Sequence, residues 1–171
     1  QCESMLGVMP TMTLDASTPK LSSKNAGFLV RALPLCVSLQ HLSLQRVPGL
    51  DDVTTEAICA ALIKGSSRHG PLANHLAALS LDGNHLTDRS GRALASAAKR
   101  GAFRALSSLS LGSNGLGGES IAGIATASRQ SGALTKLTKL NFYANRCGDD
   151  GCAALASQLE RGALPSLRLL Y

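Results

Sequence analysis

The strongest constraint on this chain is a pattern of leucines and one asparagine that returns roughly every thirty residues. Its clearest copy reads Leu76-x-x-Leu79-x-Leu81-x-x-Asn84-x-Leu86. Further copies begin at residues 39, 106 and 137, a partial copy begins at 167, and a weaker copy begins near 9. The starts from 39 onward are therefore 37, 30, 31 and 30 residues apart. A period of this size indicates one structural unit that is stacked repeatedly, as in a solenoid.

Each unit divides into two halves with different hydrophobic periods. Leu79-x-Leu81 alternates, as a strand with one buried face does. Four apolar residues between 93 and 98 instead recur at helical spacing. These halves predict an α/β fold with a parallel sheet on one side and helices on the other. Near the N-terminus, a further helix is expected within 21–33, with Phe28, Leu29 and Leu33 facing inward.

The unit that begins at residue 39 is 37 residues long, whereas the following units are 30 or 31 residues long. Two insertions explain the difference, one residue within 46–50 and six residues within 65–75. Loops that depart from a repeat lie at its surface and often bind partners. The 65–75 insertion is therefore a candidate binding surface, in which we expect Ser66, Ser67, Arg68 and His69 to be exposed. An insertion without any function explains the same residues equally well.

The pattern resembles a leucine-rich repeat of the ribonuclease-inhibitor type, whose long units carry a full helix. The closest copy of that family's turn and helix runs from Cys147 to Leu159. The resemblance implies a leucine-rich-repeat solenoid shaped as a horseshoe arc, with parallel strands on the concave side and helices on the convex side. It implies one domain over residues 1–171 with about five repeats, and it says almost nothing about function. Neither terminus reads as a polar cap, so we expect a fragment of a longer protein.

One asparagine recurs at the turn that follows the strand, as Asn84, Asn114 and Asn145. Backbone groups lose their ladder partners at such a turn, and an amide side chain can donate and accept hydrogen bonds at once. We therefore expect these three residues to form a structural ladder, which Val47 interrupts. A ligand site built from the same amides is the alternative.

Residues between the buried leucines are expected to point away from the core, on the concave face. Both tyrosines of the chain fall on this face, close to its C-terminal end. Tyrosine is enriched where interfaces concentrate their binding energy. We therefore predict that the partner-binding residues are His41, Lys139, Asn141, Tyr143 and Tyr171. The alternative is that tyrosine simply suits exposed strand positions.

The motifs that would indicate a catalytic, metal or cofactor site are all incomplete. Cys147 and Cys152 supply half of a zinc pattern, and no suitable second pair follows. The glycine-rich stretch 112–120 lacks the Lys-Ser/Thr ending of a phosphate-binding loop. Ser80, Asp82, His85 and Asp88 are close in sequence but are expected to be divided between opposite sides of a turn, so no hydrolytic triad is indicated. We expect no catalytic residues, no metal and no cofactor.

Charge and cysteine content bear on the partner and the compartment. The net charge is +6, and the cations Lys64, Lys99, Arg100, Arg129 and Arg161 fall near the ends of predicted helices. They either complement helix dipoles or form a basic stripe that docks an acidic partner, more plausibly a protein than nucleic acid, because tryptophan is absent. The odd number of cysteines, five, favours the cytoplasm or another reducing intracellular compartment. No apolar run is long enough to cross a membrane.

The function expected from these observations is that of a non-enzymatic scaffold that binds a protein partner through the concave face or the loops. One alternative is a structural subunit of a large assembly, held through its helices and edges. Another is a GTPase-activating regulator of the Ran type, although no residues match the essential loop positions of that family. The sequence does not identify the partner or the oligomeric state.

Overall fold

The computed structural model describes residues 12–15, 23–33, 36, 39–64 and 75–171. These residues form six short strands and five helices in strict alternation. The strands are β1 (Met12–Asp15), β2 (Leu39–Ser43), β3 (Ala78–Ser80), β4 (Ser108–Ser110), β5 (Lys139–Asn141) and β6 (Leu169–Leu170). The helices are α1 (Ser23–Ala32), α2 (Asp52–Lys64), α3 (Asp88–Lys99), α4 (Gly118–Ser131) and α5 (Gly148–Glu160). The candidate loop residues Ser66 to His69 lie outside the described residues.

All six strands lie in one parallel sheet, and each strand pairs with the next one in sequence. The register aligns the central leucines of the units, so that Leu42, Leu79, Leu109 and Leu140 are direct neighbours on successive strands. Their exposed fractions are only 1%, 2%, 2% and 0%. The predicted α/β class and the parallel sheet are therefore confirmed.

The helices cover one face of this sheet. Consecutive helices contact one another from α1 to α5, and their buried side chains join the strand leucines in a single hydrophobic core. Leu29 and Leu33 of the first helical segment are buried there as expected, while the side chain of Phe28 lies outside the described residues. The opposite face of the sheet, which we call the open face, carries the strand residues that point away from the core. Among the described helices, none is both long enough and apolar enough to cross a bilayer.

Aspartates at the starts of two helices connect each helix to the next. The Asp52 carboxylate accepts hydrogen bonds from the backbone N–H groups of Thr87 (2.9 Å) and Ser90 (3.2 Å) and from both hydroxyls. Burial is the largest influence on Asp52 and disfavours its charge, but these hydrogen bonds together outweigh it and lower its pKa. Asp88 accepts in the same way from the hydroxyl of Ser120. Negative charge at a helix start also complements the helix dipole.

Two glycines replace this arrangement where α4 meets α5. Gly118 begins α4 and is the counterpart of Asp88, and it lies directly against Gly151 of α5. A Cβ atom on Gly118 would stand 2.4 Å from the Cα atom of Gly151, and the reverse substitution gives the same distance. The two helix starts can approach this closely only because neither residue has a side chain.

We expect Gly118→Ala to destabilise the protein by about 1 to 3 kcal/mol, because the new methyl group meets backbone atoms that cannot rotate away. Gly123→Ala on the same helix is the matched control. A Cβ atom there would have Ala95 at 3.8 Å as its nearest neighbour, so alanine should stabilise the helix by about 0.5 to 1 kcal/mol. Urea unfolding measures both changes. Equal midpoints for the two variants would contradict the close contact of α4 with α5.

Candidate functional site

The open face presents three rows of side chains that run across the strands. The first row starts at His41 and ends at Leu169, the second starts at Ser43 and ends at Tyr171, and the third consists of residues that follow strands β2 to β5. Between its ends, the first row contains Ala78, Ser108 and Lys139, and the second contains Ser80, Ser110 and Asn141. The third row consists of Gln45, Asp82, Gly112 and Tyr143.

A hydrogen-bond network centred on Asp82 occupies the middle of this face. Its carboxylate accepts from the hydroxyls of Ser80 (2.5 Å) and Ser110 (2.8 Å) and from the backbone N–H of Gly112 (2.7 Å). Ser80 and Asp82 both point to the open face and are hydrogen-bonded to each other. His85 takes no part in this network; it is an exposed residue with a φ of 57°. Among the described residues, this network therefore lacks the histidine that a Ser-His-Asp triad requires.

Asn141 belongs to the same network, so its amide is already engaged. It donates to the hydroxyl of Ser110 at 2.9 Å and lies 3.4 Å from Asp82. Its side-chain oxygen accepts from the backbone N–H of Tyr143 at 3.0 Å. A Cβ atom on Gly112 would collide with Asp82 at 2.8 Å and with Asn141 at 3.0 Å, so glycine at that position lets the two side chains meet. Asn141 therefore orients the turn that carries Tyr143.

Large apolar and aromatic side chains gather at the C-terminal end of the open face. Tyr143 is 70% exposed, Tyr171 is 57% exposed and Leu169 is 49% exposed. The Lys139 ammonium lies 5.5 Å from the centre of the Tyr171 ring, within the range of a cation–π interaction. We call Lys139, Tyr143, Leu169 and Tyr171 the tyrosine patch. It combines aromatic area with one positive charge, on a face that is otherwise built of small polar residues.

The structure places His41 apart from this patch. His41 and Lys139 share the first row but are three strand spacings apart, which is about 14 Å. Both residues line one shallow depression of about 270 Å³, whose floor consists of Ala78, Ser108 and neighbouring residues. His41 is thus at one wall of the depression, and the tyrosine patch begins at the other.

Three asparagines, one after each of β3, β4 and β5, join consecutive turns. The side-chain oxygen of Asn114 accepts from the backbone N–H groups of Asn84 (2.9 Å) and Leu86 (3.1 Å) in the preceding unit. Its amide donates to the carbonyls of Leu81 in that unit and Leu111 in its own, each at 3.0 Å. One side chain thus replaces the ladder partners that two turns have lost.

The other two asparagines make the same contacts. The Asn84 side-chain oxygen accepts from the backbone N–H of Val47 at 2.8 Å. Asn145 accepts from the backbone N–H of Leu116 at 3.0 Å and donates to the carbonyl of Leu111 at 2.9 Å. Val47 occupies the equivalent position in the unit of β2, and its side chain has no amide group. Since the amides hold backbone groups, they are not available to a ligand at the same time.

The cysteines lie in different environments. Cys59 is buried on α2, where desolvation and the charge of Glu56 raise its pKa to about 12. Burial also raises the pKa of the half-buried Cys147, and the neighbouring Cys152 and Asp88 add to the effect. Within the described part of the chain, no three His, Cys, Asp or Glu side chains converge as they would around a metal ion.

No protein-family model and no curated protein matches this chain. Solved structures that resemble it include the actin-binding site 2 of leiomodin-1. That match has 17% sequence identity, covers 93% of this chain and 67% of the other, and has a TM-score of 0.47. Likeness at this level transfers neither the actin partner nor a detailed architecture to the present chain.

We expect Asn114→Ala to lower the free energy of unfolding by about 3 kcal/mol or more, because it leaves backbone donors and acceptors of two turns without partners. Asn141→Ala is the control, since its bonds lie on the open face where water replaces them, and it should cost less than about 1 kcal/mol. Chemical denaturation of both variants measures the difference. Similar losses would show that the turns do not depend on Asn114.

Proposed function

We propose that this chain is a non-enzymatic protein-binding module built from leucine-rich repeats of the ribonuclease-inhibitor type, and that the tyrosine patch is part of its binding surface. The repeat assignment is supported by the alternation of short parallel strands with full helices and by the aligned leucines of β2 to β5. In this proposal the strands line the concave side of a horseshoe arc. The observation that carries the binding surface is the exposure of Tyr143, Leu169 and Tyr171 at the same end of the open face.

The folding of the chain gives no reason for a tyrosine at position 143. Inward positions of every unit hold the core, and the units of β3 and β4 carry only alanine, serine, aspartate and glycine at the equivalent places of the open face. Tyr143 at 70% exposure buries too little area to stabilise the fold appreciably. Tyrosine loses little conformational entropy on binding and offers a polar tip with a large apolar ring. A partner surface would use both properties.

The small side chains beside the tyrosine patch are suited to close approach. Ser108, Ser110 and Ala78 border the depression that runs from Lys139 towards His41. A loop or extended segment of a partner can enter this depression while its apolar side chains cover the two tyrosines. His41 would then contact the far end of the same segment. In this arrangement Lys139 and His41 contact the partner directly, while Asn141 acts by fixing the turn of Tyr143.

We also propose a reducing intracellular compartment, such as the cytoplasm. The four cysteines within the described residues, Cys36, Cys59, Cys147 and Cys152, form no disulfide with one another. Cys59 packs in the core as a small apolar side chain. These features support a chain that folds without disulfides.

Binding is tested with a displayed library of random peptides, selected on this chain and then measured one by one in solution. We expect Tyr143→Ala to weaken the selected peptides by more than about 1 kcal/mol, because it removes aromatic contact area at the centre of the patch. Val53→Ala is the control, as Val53 is 56% exposed but belongs to α2 on the helical side.

Circular dichroism confirms that both variants remain folded. Unchanged affinity of Tyr143→Ala would reject the patch as a binding surface. Loss of affinity in Val53→Ala alone would assign binding to the helices, as expected of a structural subunit.

A further inference from the structure

Charged residues are separated between the two edges of the molecule. One edge, where the helices end and the strands begin, carries nine exposed cations and, among the described residues, one acidic side chain, Glu160. We call this edge the basic edge. Its cations are Arg31, Lys64, Lys99, Arg100, Arg104, Arg129, Lys136, Arg161 and Arg168. The opposite edge, where the helices begin, carries six acidic residues, Asp51, Asp52, Asp88, Glu119, Asp149 and Asp150, together with the cations Arg46, Arg89 and Arg146.

Helix dipoles account for only part of this separation. Arg31, Lys64, Lys99 and Arg129 lie in the last turns of their helices, where a positive charge is stabilising. Arg104, Lys136 and Arg168 lie in the segments that lead from the helices to the strands. The dipole effect falls off within one helical turn, so it does not explain these three residues.

Among the described residues, the cations of the basic edge form no ion pair with an acidic side chain. Within the described part of the chain, the two ion pairs are Arg89 with Glu56 and Arg92 with Glu119, and both lie on the helices away from this edge. Arg129 contacts only the neutral side chain of Gln158, at 3.4 Å. Like charges that crowd one edge repel one another, and an anionic partner relieves that repulsion.

We propose that the basic edge binds an acidic segment of a partner protein, at a surface separate from the tyrosine patch. Packed helices are spaced by about 8 to 10 Å. A peptide in the polyproline II conformation advances about 3.1 Å per residue with three residues per turn, so every third side chain points the same way. An acidic residue at every third position of the peptide therefore meets successive helix ends. Arginine at several of these ends allows paired hydrogen bonds with a carboxylate.

Nucleic acid fits this edge less well. Proteins that bind single strands combine positive charge with aromatic side chains on which bases stack. Among the side chains that the structure describes, the exposed aromatic ones are Tyr143 and Tyr171, and both lie on the open face. Phe103, which lies beside Arg104, is buried in the core. A peptide that binds through acidic side chains needs no aromatic surface for stacking.

The test uses the full chain and three fluorescent probes of equal length, a Glu-Gly-Ser repeat peptide, the corresponding Gln-Gly-Ser peptide, and single-stranded oligothymidylate. The variant Arg104→Glu with Lys136→Glu changes two cations outside the helices, so the helices stay intact. The control Arg46→Glu with Arg146→Glu makes the same change in net charge on the turns at the opposite edge.

We expect the acidic peptide to bind the unaltered chain and the control, and to bind the Arg104/Lys136 variant at least about tenfold more weakly. The affinity should also fall as salt is added. The neutral pair Arg104→Gln with Lys136→Gln should give an intermediate loss, and it serves in place of the reversal if that variant does not fold.

Equal losses in the reversal and control variants would mean that only net charge matters, which overturns the proposal. Tighter binding of oligothymidylate than of the acidic peptide would assign the edge to nucleic acid and also overturn it. Tyr143→Ala should bind the acidic peptide normally. The basic edge and the tyrosine patch can therefore fail independently of each other.

Discussion

The contact between equivalent leucines on successive strands is the interaction on which the rest of the structure depends. A strand of three residues followed by one helix has no partner for the leucine at its centre, so a single unit cannot bury its own core. Leu109 is buried because β3 and β5 stand on either side of it. Leu170 has the same place in β6 but only one neighbouring strand, and it is 46% exposed. Each unit is therefore stabilised by the next, and the stability of the array is shared along it.

Stacking of this kind raises a second problem, which polar residues solve. Short strands end after three residues, so backbone groups at both ends of every unit lack ladder partners. Asn114 supplies hydrogen-bond partners to these backbone groups at the turn that follows a strand, and Asp52 supplies such partners where the next helix begins. Asp52 acts between units, and Asn114 acts both between units and within its own unit. Where α4 meets α5, Gly118 instead packs directly against Gly151.

Much of this architecture is predictable from sequence because it is periodic. Leucine and asparagine recur at fixed intervals, so the strands, the helices and the turn positions can be read from one chain. The helix expected within residues 21–33 corresponds to α1, Ser23–Ala32. It can be predicted because its limits depend on the residues of that segment alone. The hydrogen bonds of Asp52 and Asp82 cannot be read in this way. Each depends on partners about thirty residues away and on side-chain directions, and Asp82 further requires a glycine at position 112 to leave room.

Because the unit repeats, a charge that stabilises one helix recurs at the same place in the other units and affects the charge distribution of the whole molecule. A cation in the last turn of one helix stabilises that helix by about 0.3 to 1 kcal/mol. Because all units of a parallel array point the same way, the cations of α1 to α4 all fall on one edge. Each contribution is small, but the fields of like charges on one edge add. Arg104 and Lys136 extend that field beyond what the helices require, so selection for helix stability alone does not account for the charge of the basic edge.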